Sequence, residues 1–455
     1  MQTFKDKRLW FIIAIGILLR SLPIMIWGAS GCVRDECTYL RLCMYLLRGE
    51  GMVAPVGWLW APGYPFLLAV HKYLFGYAFL IKGTQLICAA LVMALLYQMG
   101  KSRKVGLYAA ALYAFSPSQI FFGQSLWSEC IYGALLVFVL YVFDNVVRKK
   151  TIRYLLVLGG GIGLCVLFRG VATYMLPIFC FALFFGKKLM RNAPLELFRY
   201  NSAVILGFLL VVTPYSVYVS QKFERFIISD RTIGQMMWLG NNDFEPVTFD
   251  WGTGQLSKRA FERHTELGRD RCAKRPRTRE KAELNRWAMA LEDCETQNGV
   301  AWIQEHPAEF LQRIPLRIAQ LLNPHSFLTR TIRSGKWQGI PEWLDEVLIL
   351  WGALWSLFVV LGGTAGLILR GRGERARLIT LILLYHLCAI SLLAGLTRYR
   401  IPLEPLLMLY AAQLMEPRTT AIPRWRFFVL ILIMVFLVPL SIYFLPTGWS
   451  WWRTF

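Results

Sequence analysis

WLWAPGYPFLLAVHKYLFG, residues 58–76, decides how this chain is folded. It is apolar enough to enter a bilayer, yet Pro62 and Pro65 interrupt its start and Gly76 ends it. Either it crosses the membrane or it lies half-buried at the interface. Other apolar runs of spanning length, about 17–25 residues, fall near 9–28, 78–100, 105–122, 125–146, 152–169, 171–186, 200–219, 343–369, 378–396, 401–415 and 427–446. Basic residues in short loops collect on the cytoplasmic side of membrane proteins. With Lys5, Lys7 and Arg8 inside and 58–76 not crossing, the clusters Lys101/Arg103/Lys104, Arg148/Lys149/Lys150/Arg153, Lys187/Lys188/Arg191, Arg370/Arg372/Arg375/Arg377 and Arg418/Arg424/Arg426 all fall inside. Making 58–76 a span throws the next three clusters outside. The sequence therefore predicts an all-α polytopic membrane protein with about 11 transmembrane helices.

The composition agrees. Of 455 residues, 56% are hydrophobic and only 17% charged, with 17 Trp, 19 Tyr and 30 Phe to furnish interfacial belts. The net charge of +22 sits mostly in the inner loops, where it faces anionic lipid, so a nucleic-acid partner is not expected. The first apolar stretch has no small-residue cleavage site before Gly31 and reads as a retained signal anchor. The expected location is the inner (plasma) membrane, multi-pass, N-terminus cytoplasmic. The ten cysteines show no metal-binding spacing. Cys272 and Cys294 share one polar loop, and whether they pair is open.

Three parts follow: an N-terminal membrane module, 1–219, including a first outer loop, 29–77; an extracytoplasmic loop domain, 220–342; and C-terminal helices, 343–455. Within the second part, 258–286 is dense in charge of both signs, and 298–324 is amphipathic and expected to lie along the membrane surface.

Residues with chemistry gather at the outer helix ends. GCVRDECTYL places Asp35 and Glu36 at the start of an interfacial helix, 36–48, with Tyr39 on its apolar face. Asp35 could simply cap that helix and Glu36 offset its dipole. Glu129, in SLWSEC, stands in the first turn of another helix at the same face, where it is equally comfortable. Convergent carboxylates from separate elements also supply a general base or hold a hard divalent ion, with Asp35 and Glu129 as the candidate ligands. Lys82, Arg169, Arg398 and Arg400 lie at outer helix ends, where cations either snorkel to headgroups or grip a phosphate. In TIGQMMWLGNND, 232–243, Gly240, Asn241 and Asn242 form either an ordinary turn or a set of donors to a sugar or phosphate. Acids and cations at one bilayer face suit a substrate that is part lipid, part phosphate and part polar group.

In order along the chain, RDECTYLRLCMYLLRGEGM, APGYPFLLAVHKYLFG, FSPSQIFFGQSLWSE, ISDRTIGQMMWLGNND, VAWIQEHPAEFLQRIPLRIAQLLNP and RYRIPLEPLLMLYAAQ resemble segments of the membrane C-fold glycosyltransferases. The likeness is to bacterial relatives of the protein O-mannosyltransferases and of the lipid A aminoarabinose transferase, and it spans about residues 9–416. It implies transfer of a sugar from a polyprenyl-phosphate donor to a protein, lipid or glycan acceptor on the extracytoplasmic face. By the same resemblance Asp35 is the catalytic base, Glu129 a second active-site carboxylate and Arg398 a donor-phosphate contact. A single displacement would invert the anomeric centre. The stretch 258–286 aligns with no family segment, and the sugar and the acceptor are not implied. Other readings are a lipid-linked glycan ligase or polymerase, and a flippase; a transporter normally places its polar residues near the bilayer midplane.

Overall fold

The computed structural model describes residues 6–27, 32, 35–52, 59–184, 194–243, 272, 276–278, 280–325, 328–329, 332, 340–393, 395–417 and 421–443. Arg34 and the charged residues 258–271 lie outside them. The described residues are nearly all helical: α1 (Lys7–Trp27), α2 (Asp35–Leu47), α3 (Gly63–Phe75), α4 (Ile81–Met99), α5 (Arg103–Ala114), α6 (Pro117–Phe122), α7 (Glu129–Lys149), α8 (Ile152–Phe168), α9 (Met175–Phe184), α10 (Pro194–Phe223), α11 (Ile233–Gly240), α12 (Lys281–Glu305), α13 (Pro307–Leu322), α14 (Glu342–Leu357), α15 (Gly363–Arg370), α16 (Gly373–Leu392), α17 (Glu404–Leu414) and α18 (Arg424–Ile442). Short 3-10 turns at Ala78–Leu80, Gly170–Tyr174 and Thr397–Leu403 join several of them.

Among the described residues, six helices are long and apolar enough to cross a membrane: Ala78–Met99, Glu129–Lys149, Pro194–Phe223, Trp343–Arg370, Gly373–Leu392 and Arg424–Ile442. Ile152–Phe168 and Gly170–Phe184 are apolar but shorter. The expected count of eleven is therefore not reached on length and composition, for visible reasons. The run 105–122 is broken where Ser116 caps α6 and Pro117 opens it. Helix α17 has only 11 residues. Helix α1, 21 residues from Lys7 to Trp27, is not among the six, although Arg20 is the single charge between Leu9 and Ile26. The segment that decided the topology forms α3, whose 13 residues reach about 20 Å against a hydrocarbon core of about 30 Å.

Close approach of backbones holds the bundle. In the GGGIG run of α8, a Cβ on Gly159 would stand 1.9 Å from the Val204 carbonyl oxygen, and one on Gly207 of α10 would stand 2.2 Å from that of Leu156. Small residues on both helices allow this contact, the usual device where lipid gives no hydrophobic drive to helix pairing. Arg20 is buried and held by backbone: Nη1 donates to Gly16 and Ala114, and Nη2 to Tyr113, tying α1 to α5. The main core is built from α4, α5, α7, α8 and α17.

Candidate active site

Four ionised side chains from four places in the chain meet at one end of this bundle. Asp35 opens α2, Glu129 opens α7, Arg169 directly follows α8, and Arg398 lies in the 3-10 turn before α17. They alternate in sign. Arg398 ion-pairs with Asp35 through Nη1. Its Nε stands 3.9 Å from Glu129 Oε1, and Arg169 Nη1 stands 2.6 Å from the same oxygen. Glu129 is almost wholly buried, whereas Asp35 keeps 27% of its side-chain surface exposed. The buried acid is compensated, and the acid at the opening is the accessible one.

Aromatic rings set the two arginines. The Arg398 guanidinium lies 5.2 Å from the ring centres of both Trp127 and Tyr399, and Arg169 lies 5.2 Å from the same Tyr399 ring. Tyr399 thus stacks with two like charges that Glu129 neutralises from the other side. Arg398 Nε is buried and makes no hydrogen bond, so this cation holds a donor in reserve.

The wall behind the charges explains why α2 sits where it does. Tyr39 reaches Ser128 at 3.2 Å between hydroxyls, and Ser128 also accepts from Arg169 Nη1 at 3.5 Å. Burial raises the Tyr39 phenol well above its ordinary range, keeping it a neutral hydrogen-bonding group. Glu36 does not join the cluster. Its Oε1 accepts the Leu126 backbone N–H at 2.8 Å, pinning α2 to the chain that leads into α7. Tyr64 donates to Gln85 at 2.8 Å, and Gln85 donates to the Gly123 and Ser125 carbonyls. A disulfide, Cys32–Cys37, brackets Asp35 and Glu36.

Other predicted residues lie elsewhere. Arg400 is 3% exposed; it donates to the Leu321 and Asn323 carbonyls, Ser356 and Glu404, and so joins several helices. Gly240, Asn241 and Asn242, the expected substrate loop, are buried. Arg313 and Arg317 of α13 grip this turn through the Gly240 and Asn242 carbonyls and the Asn241 amide oxygen. Lys82 sits in the first turn of α4, 5.6 Å from the Phe79 ring. Cys272 and Cys294 form a disulfide.

The sequence reading did not single out Trp127, Ser128, Gln85, the Cys32–Cys37 pair or Asp230. Trp127, Ser128 and the Cys32–Cys37 pair had a local signal, in QSLWSE and in CVRDEC; Gln85 and Asp230 had none. Asp230 stands in a short stitched segment. Ser229 donates to the Val166 carbonyl, Arg231 N–H to the Leu59 carbonyl, and the Arg231 side chain pairs with Glu292 of α12. This brings the Asp230 carboxyl against Gly170, where a Cβ would stand 1.8 Å from Oδ1.

Among the described residues, no group of three or more His, Cys, Asp or Glu is placed to hold a metal. Arg398 stands between Asp35 and Glu129.

The fold has counterparts. The family model described as dolichyl-phosphate-mannose-protein mannosyltransferase matches residues 60–218. The archaeal oligosaccharyltransferase AglB from Archaeoglobus fulgidus, solved with an inhibitory peptide and a dolichol-phosphate, superposes with a TM-score of 0.50 at 15% identity, covering 98% of this chain and 55% of that one. The chain shares the fold of that archaeal protein over nearly its whole length. It spans about half the length of the archaeal C-fold structure it matches. ArnT from Cupriavidus metallidurans, bound to undecaprenyl phosphate, is a further match at a TM-score of 0.42 and 13% identity, covering 90% of this chain and 78% of that one. No curated protein matches the chain significantly.

Proposed function

We propose that the protein is an integral-membrane glycosyltransferase that moves a sugar from a polyprenyl-phosphate donor to an acceptor nucleophile, with Asp35 as general base. The observation that carries this reading is the alternating chain Asp35–Arg398–Glu129–Arg169 at converging helix ends. The orientation from the positive-inside pattern puts that end on the extracytoplasmic face of the membrane. The archaeal C-fold relative was captured with a dolichol-phosphate, the lipid class this reading gives the donor.

In this mechanism the donor phosphate takes the Arg398 fork, using the reserve Nε donor, and draws the guanidinium away from Asp35. Asp35, released and accessible, accepts the proton of the acceptor O–H or N–H as that atom attacks the anomeric carbon. The bond from the anomeric carbon to the phosphate oxygen breaks on the opposite side, and the lipid phosphate leaves carrying the electron pair. Arg398 and Arg169 stabilise its charge in a site walled by Trp127 and Tyr399. One displacement inverts the anomeric configuration. Glu129 keeps the two guanidinium groups together before and after the phosphate is bound. No step runs through a metal, because the guanidinium supplies the positive charge.

The sugar is left open in this reading, as is the choice among protein, lipid and glycan acceptors. The test is turnover: purified protein in detergent, given a polyprenyl-phosphate sugar and an acceptor extract, releases polyprenyl phosphate. Absence of release across the common hexose and pentose donors would count against the reading.

A further inference from the structure

An acid, Asp230, is packed against Gly170, the residue that follows Arg169. Asp230 arrives on a segment whose place is fixed by three independent ties: Ser229 to Val166 at 2.8 Å, Arg231 N–H to Leu59 at 2.9 Å, and the Ile227 carbonyl to Ser216 at 2.6 Å. Its carboxyl then rests on Gly170, the residue after Arg169, in space that any side chain there would fill. A glycine at 170 is thus what admits a carboxyl to this spot. Asp230 Oδ2 accepts from the Thr232 hydroxyl at 2.9 Å, and among the described residues Asp230 has no ion pair. Glu129, by contrast, is bonded to Arg169 outright.

We infer that Asp230 is a further positioning residue of the site, sharing Arg169 with Glu129 and so setting how much of that arginine's charge is left for a lipid phosphate. The inference rests on the donor reading above. The groups facing Asp230 are Arg169 after α8, Thr232 beside it, Glu292 of α12 and Tyr215 of α10. Burial, the largest influence, pushes its carboxyl up to about 6, against the Thr232 hydrogen bond and Arg169, which favour the charge. Below that pH Arg169 answers to one carboxylate. Above it there are two, and an incoming anion meets a more neutral site.

The test measures affinity for undecaprenyl phosphate, in detergent, for the wild-type full chain, Asp230→Asn and Thr232→Val between pH 4.5 and 8. The ligand's own titration is common to all three and cancels in the ratio. The expected result is tighter binding by Asp230→Asn at pH 7.5, by about fivefold for a charge removed at this range, and equal binding at pH 4.5. Thr232→Val, which removes a donor to the charged carboxyl, moves the wild-type step to higher pH. A ratio that is the same at both pH values, weaker binding by Asp230→Asn at pH 7.5, or an unmoved step in Thr232→Val overturns the role of Asp230 and leaves the donor reading intact. If wild type binds no undecaprenyl phosphate at either pH, the donor reading fails and this inference with it.

Discussion

Arg398 pairs with Asp35 across 363 residues of chain and links α2 to the turn before α17. A cation held by the proposed base is also the cation offered to the donor phosphate. The pair therefore ties base release to donor binding. Arg398→Ala removes the phosphate fork and is expected to lower kcat/KM by about 100-fold, or about 2.7 kcal/mol. Arg398→Lys keeps the charge without the fork and falls between. Steady-state kinetics on both variants check this, with most of the Lys effect expected in KM for the donor.

The two disulfides should separate activity from stability. Cys32–Cys37 closes a loop of sequence separation 5 around Asp35, and Cys272–Cys294 closes one of 22. Chain entropy alone gives about 2 kcal/mol for the first and about 3 kcal/mol for the second. Cys294→Ser should lower the melting temperature more, with turnover little changed. Cys37→Ser should melt closer to wild type yet lose turnover about tenfold, because Asp35 is no longer held at the end of α2. Thermal unfolding and turnover, measured on the same preparations, give the answer.

How much of this was legible in the chain? Asp35, Glu129, Arg169 and Arg398 were each readable as residues at helix ends, because hydropathy and the inner basic clusters fix which ends share a face. Tyr39 was readable from helical periodicity. Arg400 was not distinguishable from Arg398, two positions away in TRYRI: only the fold shows that a 3-10 turn aims one at Asp35 and buries the other under Glu404 and Ser356. The GNN turn looked like a set of ligand donors because nothing nearby in sequence announced Arg313 and Arg317, about seventy residues on, as its partners. Asp230 is invisible locally for the same reason. Its meaning comes from Gly170, 60 positions earlier.

The raised Asp230 carboxyl carries a stability signature. Its folded pKa, about 6, lies above the carboxylate's ordinary 3.8, so the fold binds this proton more tightly than the unfolded chain does. The site is unstrained by charge below about pH 4. As pH rises through the window from 3.8 to 6 the wild type loses stability on this account. Asp230→Asn should therefore melt at a higher temperature than wild type at pH 7.5, the gap closing by pH 4. A gap of the opposite sign at pH 7.5 would mean the charged carboxyl is net stabilising through Arg169.

The guanidinium between Asp35 and Glu129 makes a metal unnecessary in this account. Treatment with a divalent-ion chelator, followed by gel filtration, is expected to leave turnover within about twofold of the untreated enzyme, a change well under 1 kcal/mol in the barrier. A loss restored by one particular divalent ion would place that ion in the step assigned to Arg398.

The most direct measurement is release of polyprenyl phosphate by Asp35→Asn. Asn keeps the size of the side chain and a hydrogen bond to Arg398 but cannot take a proton. The account predicts that release falls by at least about 1,000-fold, while expression, melting temperature and polyprenyl-phosphate binding stay near wild type. Release at the wild-type rate from a folded Asp35→Asn protein would contradict the assignment of Asp35 as the base.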